Sequence, residues 1–163
     1  WLDHLSEQTG QSTSVSILDE SDIVYVARAA QRRVMSISLM PGSRLPAYCT
    51  SMGRVMLSAL PVEQAEDLLS LKPLVARTAK TVTDIETLKG ELLRIRDRGY
   101  ACIDQEVEIG LRSLAVPLFG PRGQVVAALN IGLAASEEPM QAVADRYIPS
   151  LLKVQKELTG ISG

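Results

Sequence analysis

Two apolar runs, Leu111–Phe119 and Gln124–Leu133, separated by the turn Gly120-Pro121-Arg122-Gly123, constrain the fold of this chain more than any other feature. Strand side chains alternate between faces, so Val125, Ala127, Leu129, Ile131 and Leu133 share one face. Val126, Ala128, Asn130 and Gly132 share the other. The first run repeats the pattern, with Leu114, Val116 and Leu118 opposed by Leu111, Ser113 and Ala115. The reading is an antiparallel pair with one bulky face and one small, partly polar face. Close packing does not tolerate empty space above the small face. Either a helix lying close on the sheet or a bound small molecule would fill it.

The rest of the chain supplies the layers around this pair. Trp1–Gln8 reads as a short helix closed by Gly10, and Ser12–Leu18 and Ile23–Ala27 read as a hairpin about the polar turn Asp19-Glu20-Ser21-Asp22. A third strand is expected over Val34–Met40, ended by Pro41-Gly42-Ser43. Helices follow over Ser51–Leu60 and from Pro61 to Leu69, and Leu71–Thr81 reads as a connection. Thr83 and Glu86 have capping-box spacing, ahead of a helix with Ile85, Leu88, Leu92 and Ile95 on one face and Gly99 at its end. Tyr100–Glu106 is expected as a strand, and Pro139–Leu158 as a helix that Pro149 kinks or splits. The fold class is α+β, with one mainly antiparallel sheet of five to six strands flanked by helices.

A second constellation is Leu45-Pro46-Ala47-Tyr48-Cys49-Thr50-Ser51-Met52-Gly53-Arg54, a loop that runs through hydroxyl residues into helical spacing at Met52, Val55, Met56 and Ala59. Thr50 or Ser51 is the N-cap. The free N–H groups and positive dipole end of the helix that follows can hold an anion, so the ligand expected here carries a carboxylate or similar group.

Composition narrows the classes. The chain has 163 residues, 46% of them apolar, a formal net charge of −2 and a pI near 5.5. This is enough for one core and one domain. Without a block of Lys or Arg, the segment is not expected to grip nucleic acid by itself. No apolar run reaches the roughly 20 residues that cross a bilayer, and no basic-then-apolar leader opens the chain. Two cysteines, Cys49 and Cys102, suit a reducing compartment, so the expected location is cytoplasmic. Trp1 opens inside a helical tail, which fits a piece of something longer.

Several residues invite chemistry. Cys49 sits ahead of a helix N-terminus, where the dipole lowers a thiol pKa, whereas Cys102 reads as core. Arg44 offers a carboxylate clamp, although exposed arginines are usually solvated. Asp104, Glu106 and Glu108 alternate as carboxylates at a strand edge, which discourages aggregation. His4 is the only histidine, so no metal site is expected. No catalytic triad, phosphate loop or metal spacing is present in the sequence, and neither catalysis nor a cofactor is expected.

The run Leu45–Arg54 with Leu57 and Ala59, the segment Gly99-Tyr100-Ala101, then Asp104-Gln105-Glu106, and Gly110 through Pro117 resemble the effector-binding domain of IclR-type transcriptional regulators. The resemblance covers nearly all of Leu2 to Leu158. It is closest to the branch controlling catabolism of aromatic acids, through the protocatechuate, 4-hydroxybenzoate and β-ketoadipate routes. It implies a GAF-like fold, a small carboxylate effector (an aromatic acid or a β-ketoadipate-like compound), a homodimer or tetramer, and no membrane. Residues 1–10 would end a linker helix from a winged helix-turn-helix domain that alone contacts promoter DNA, and residues 11–163 would form the effector-binding domain. Effector binding would shift the subunit arrangement and so the DNA-reading heads.

Carried over by position, the pocket would use the backbone amides of Ser51 and Met52 beside Tyr48, Cys49 and Gly53. Val34, Ile37 and Leu111 would be apolar walls, and Ser113, Asn130 and Gly132 would supply the polar side. Many relatives have Asp or Ser where this chain has Ile103, Cys at Ser113, and Ser at Asn130 and Gly132. Ile103 would make the pocket more apolar, favouring an aromatic ring or longer chain over glyoxylate or pyruvate. Two other readings stay open: a GAF-like thiol redox enzyme using its cysteines, and a ligand-free dimerisation module.

Overall fold

Glycines and caps set most element borders in the computed structural model, which describes residues 1–29 and 39–162, the last three by backbone alone. Helix α1 (Leu2–Thr9) ends at Gly10, whose φ of 72° lets its N–H return to the Ser6 carbonyl. Strands β1 (Ser12–Asp19) and β2 (Asp22–Ala29) pair through a two-residue turn that sets Asp19 opposite Asp22. Like charges facing each other across a hairpin repel. Arg44 answers both, at 2.8 Å from Asp19 and 3.3 Å from Asp22. It is therefore spent on the hairpin rather than on a ligand clamp.

Arg44 opens β3 (Arg44–Pro46), a short edge strand on β2, a position that tolerates a proline. The strand expected over Val34–Met40 lies outside the described residues except for Leu39 and Met40, which form no strand. The loop of the sequence reading thus begins as sheet. A 3-10 turn (Ala47–Cys49) leads into α2 (Ser51–Ser58), followed by α3 (Val62–Leu69) and α4 (Ile85–Arg98). The cap of α4 is Asp84 rather than Thr83: its carboxylate accepts both the N–H and the hydroxyl of Thr87, at 2.9 and 2.7 Å. Those two bonds hold its carboxyl below the ordinary range.

Strand β4 (Ala101–Asp104) stops short of the expected Glu106, because Gln105 turns to a φ of 63°. Strands β5 (Leu111–Phe119) and β6 (Val125–Ala134) pair antiparallel as read from the sequence. Helix α5 (Met140–Ser162) continues through Pro149 without being split. Pro149 and Asp145, whose carbonyl loses its bond to the missing N–H, both face solvent, while Ile148 and Leu151 hold either side to the sheet.

The sheet has six strands in the order β3-β2-β1-β6-β5-β4, all antiparallel, and separates two cores. On one side Leu114, Val116, Leu129 and Ile131 pack with Leu5 of α1 and with Val143, Leu151 and Val154 of α5. On the other, Ala115 and Ala128 share a core with Met52 and Val55 of α2 and with Leu88 and Ile95 of α4. The helix foreseen as one filler of the small face is in place. At Ala115 and Ala128 that face is occupied by α2, and two residues further along each strand, at Ser113 and Asn130, it borders a cavity.

Candidate ligand site

The start of α2 is held by a network of hydrogen bonds that leaves its first two amides unengaged among the described residues. Thr50 is the N-cap: its hydroxyl oxygen accepts the Gly53 N–H at 3.1 Å and donates to the Pro46 carbonyl at 3.2 Å. The N–H groups of Ser51 and Met52 have no acceptor among the described residues. Gly53 is required by space. A Cβ there would lie 2.3 Å from the Ala47 carbonyl oxygen and 2.4 Å from its Cα.

Arg54, on the same first turn, is 2% exposed and pairs with Glu106 at 2.6 Å. Its Nε donates to the Tyr48 carbonyl at 2.8 Å, and Glu106 also accepts the Val82 N–H at 2.9 Å. Glu106 is thus an internal strut between three loops and not the aggregation guard expected from its alternation. Asp104 pairs with Arg112 at 2.9 Å.

Above the α2 N-terminus is a cavity of about 50 Å³ bounded by Ser51, Met52, Leu111, Ser113, Asn130 and Gly132, all six read from the sequence. Ser113 donates to the Ser51 hydroxyl at 2.9 Å, tying sheet to helix. The Asn130 Oδ1 atom is buried and has no hydrogen-bond partner among the described residues, in a residue 8% exposed. Leaving such an acceptor unpaired costs about 1–3 kcal/mol. A donor arriving with a ligand would recover that cost.

The remaining expected residues that are described lie elsewhere. Tyr48 turns away and lines a different cleft, Gly53 packs on Ala47, and Ile103 is buried opposite Ser113 without reaching the cavity surface. Val34 and Ile37 lie outside the described residues. Ser12, Tyr25, Arg28, Leu39 and Val107, none of them expected as site residues, also line the cavity, as does Leu45 from the start of the expected ligand loop. Ser12 was within reach, since the hydroxyl run Ser12-Thr13-Ser14 pairs with Gly132, Ile131 and Asn130. Arg28 brings the cation that Arg44 does not, and donates to Ser14 at 3.2 Å. Burial pushes the Tyr25 hydroxyl up to about 12, so it stays a donor.

Cys49 is the clearest reversal. The sequence placed it where a helix dipole activates a thiol; the structure buries it completely in the α2 core, and burial pushes it up to about 11. In a Cys102→Ser background, a disulfide reagent at pH 8 should leave Cys49 intact in the folded domain and titrate it after unfolding in urea. Rapid labelling of the native domain would contradict this. The sign for stability follows from linkage. Between the ordinary 9.0 and about 11 the folded state holds a proton that the unfolded chain releases, so this contribution to stability falls as pH rises through that window. Cys49→Ala should flatten the fall.

Sheet, capped helix and the cavity between them define a class, the small-molecule-binding α+β domain. The chain belongs to the IclR family of bacterial transcriptional regulators, whose C-terminal domain model matches residues 1–158. It is 39% identical over 159 residues to the Pca regulon regulatory protein of Pseudomonas putida, covering 97% of this chain and 55% of that protein. It is 32% identical over 166 residues to the p-hydroxybenzoate hydroxylase transcriptional activator of Acinetobacter baylyi, covering 99% of this chain and 61% of that protein. The chain therefore spans little more than half the length of these regulators. The inducer-binding domain of a PobR double mutant from Acinetobacter, solved with 3-hydroxybenzoic acid, matches with a TM-score of 0.89 and 33% identity, covering 97% of this chain and 93% of that one. No helix among the described residues is long and apolar enough to cross a membrane.

Proposed function

We propose that this domain senses a hydroxylated aromatic carboxylate and that the protein acts by binding rather than by catalysis. The carrying observation is the Asn130 Oδ1, without a partner among the described residues and buried in a cavity at the start of α2, where the Ser51 and Met52 amides also lack one. The ligand carboxylate takes the Ser51 and Met52 N–H groups and the Arg28 charge. Its ring lies on Leu111 and Met52, and its hydroxyl donates to Asn130. The relatives support this assignment, since one carries a hydroxybenzoate and another activates transcription for p-hydroxybenzoate hydroxylase.

The cavity of about 50 Å³ is far below the ~300 Å³ at which ligand pockets ordinarily begin. Binding therefore moves a wall, and that movement is the conformational shift a regulator needs. Promoter DNA would be contacted by a preceding domain to which residues 1–10 link, in a cytoplasmic homodimer or tetramer.

Isothermal titration with protocatechuate, 4-hydroxybenzoate, β-ketoadipate and pyruvate tests the reading. One hydroxylated aromatic acid should bind more tightly than benzoate by about ten-fold or more, from the recovered hydrogen bond. Asn130→Ala should erase that difference while leaving benzoate binding in place. Preference for pyruvate, or a hydroxyl preference that survives Asn130→Ala, would sink the assignment.

A further inference from the structure

A larger opening lies on the other side of the Pro46–Tyr48 stretch, between it, α3 and the connection over residues 71–77. This cleft measures about 450 Å³, within the ~300–1,000 Å³ usual for small-molecule sites. Its floor is apolar, formed by Ala47, Leu57, Leu68 and Leu74. Its charged groups are Asp22, Lys72 and Arg77. Asp22 is already engaged, by Arg44 at 3.3 Å and by Lys72 at 3.8 Å. Arg77 has no carboxylate partner among the described residues. Its side chain, exposed to solvent at the rim, sets a positive charge beside an apolar floor, the pairing that suits an amphipathic anion.

We propose that this cleft is a second ligand site, for a monocarboxylate with an apolar body, whose carboxylate meets Arg77 and whose body lies between Leu68 and Leu74. The site is separate from the inner cavity but mechanically joined to it. The Tyr48 ring walls the cleft, and its hydroxyl donates to the Val75 carbonyl at 2.5 Å and accepts the Val75 N–H at 3.0 Å. The Tyr48 carbonyl accepts from Arg54 at 2.8 Å, and Thr50, two residues on, caps α2. A ligand that shifts Tyr48 therefore shifts the segment that positions the Ser51 and Met52 amides. Any coupling is reciprocal, so an inner ligand alters affinity at the cleft by the same factor.

The test uses 2-naphthoate as probe, with binding followed by calorimetry and by amide chemical shifts of the 163-residue domain. Saturable binding is expected, with shifts centred on Tyr48, Leu68 and Leu74. Affinity should fall about ten-fold in Arg77→Gln and for uncharged 2-naphthamide on the wild type. It should be lost in Leu68→Trp, which fills the cleft, and be retained in Gly132→Leu, which fills the inner cavity. Absence of saturable binding, wild-type affinity in either cleft variant, equal affinity for the amide, or loss in Gly132→Leu would each overturn the proposal. If Leu68→Trp does not fold, Arg77→Gln and the amide decide the matter alone. Because the probe and the cleft variants differ from those that test the inner cavity, either reading can fail without the other.

Discussion

Gly53→Ala is expected to lower the thermal midpoint by about 6 °C or more and to abolish binding in the inner cavity. The added methyl meets backbone on one side, at 2.3 Å from the Ala47 oxygen, and the capping hydroxyl of Thr50 at 2.6 Å on the other. Neither is the loose end of a side chain, so relief requires pulling α2 away from the 3-10 turn before it. Overpacking of this kind costs about 1–3 kcal/mol, and backbone neighbours place the site at the upper end. For a chain of this size each kcal/mol moves the midpoint by about 2–4 °C. Gly90 provides the control. It lies inside α4, where an added Cβ comes no nearer than 3.9 Å to Arg94. Alanine there should stabilise by about 0.4–1 kcal/mol through the unfolded chain. Opposite signs for two Gly→Ala changes, measured by calorimetric scans, are the expected result; an unchanged midpoint for Gly53→Ala would refute the close-packing argument.

Arg54→Ala should destabilise the domain by about 3–5 kcal/mol, because it leaves the Glu106 carboxylate buried and uncompensated. The loss goes beyond one ion pair, since Arg54 also holds the Tyr48 carbonyl and Glu106 the Val82 amide. The double variant Arg54→Met with Glu106→Leu removes both charges and should recover part of the loss. It cannot recover all of it, since it orphans the Tyr48 carbonyl and the Val82 N–H. Urea denaturation of the wild type, both single variants and the double variant measures the coupling. A cost below about 1 kcal/mol for Arg54→Ala would mean that the pair does not hold the three loops together.

These two residues show how much of the site was legible beforehand. Gly53 and Arg54 stand side by side in the segment singled out from sequence. Nothing local tells that one is forced by Ala47 and that the other reaches Glu106, 52 residues away. The strands that shape the small face were readable because side-chain alternation is a local property. Ser113, Asn130 and Gly132 consequently fell on the correct side of the sheet. Cys49 and Tyr48 were misread because a 3-10 turn rotates them out of the progression that a simple loop-to-helix reading assumes.

Periodicity, glycine stops and proline positions therefore determined the β5–β6 hairpin and the capped α2 by themselves, and the family resemblance added the six expected residues that line the inner cavity. These signals act over a few residues and survive without a partner. Only the tertiary structure decided which charges are spent and which remain. Arg44 is consumed by Asp19 and Asp22, Arg54 by Glu106, and Arg28 is left at the inner cavity and Arg77 at the outer cleft. Charge pairing depends on distances of a few ångströms between residues far apart in sequence, and only the folded chain sets those distances.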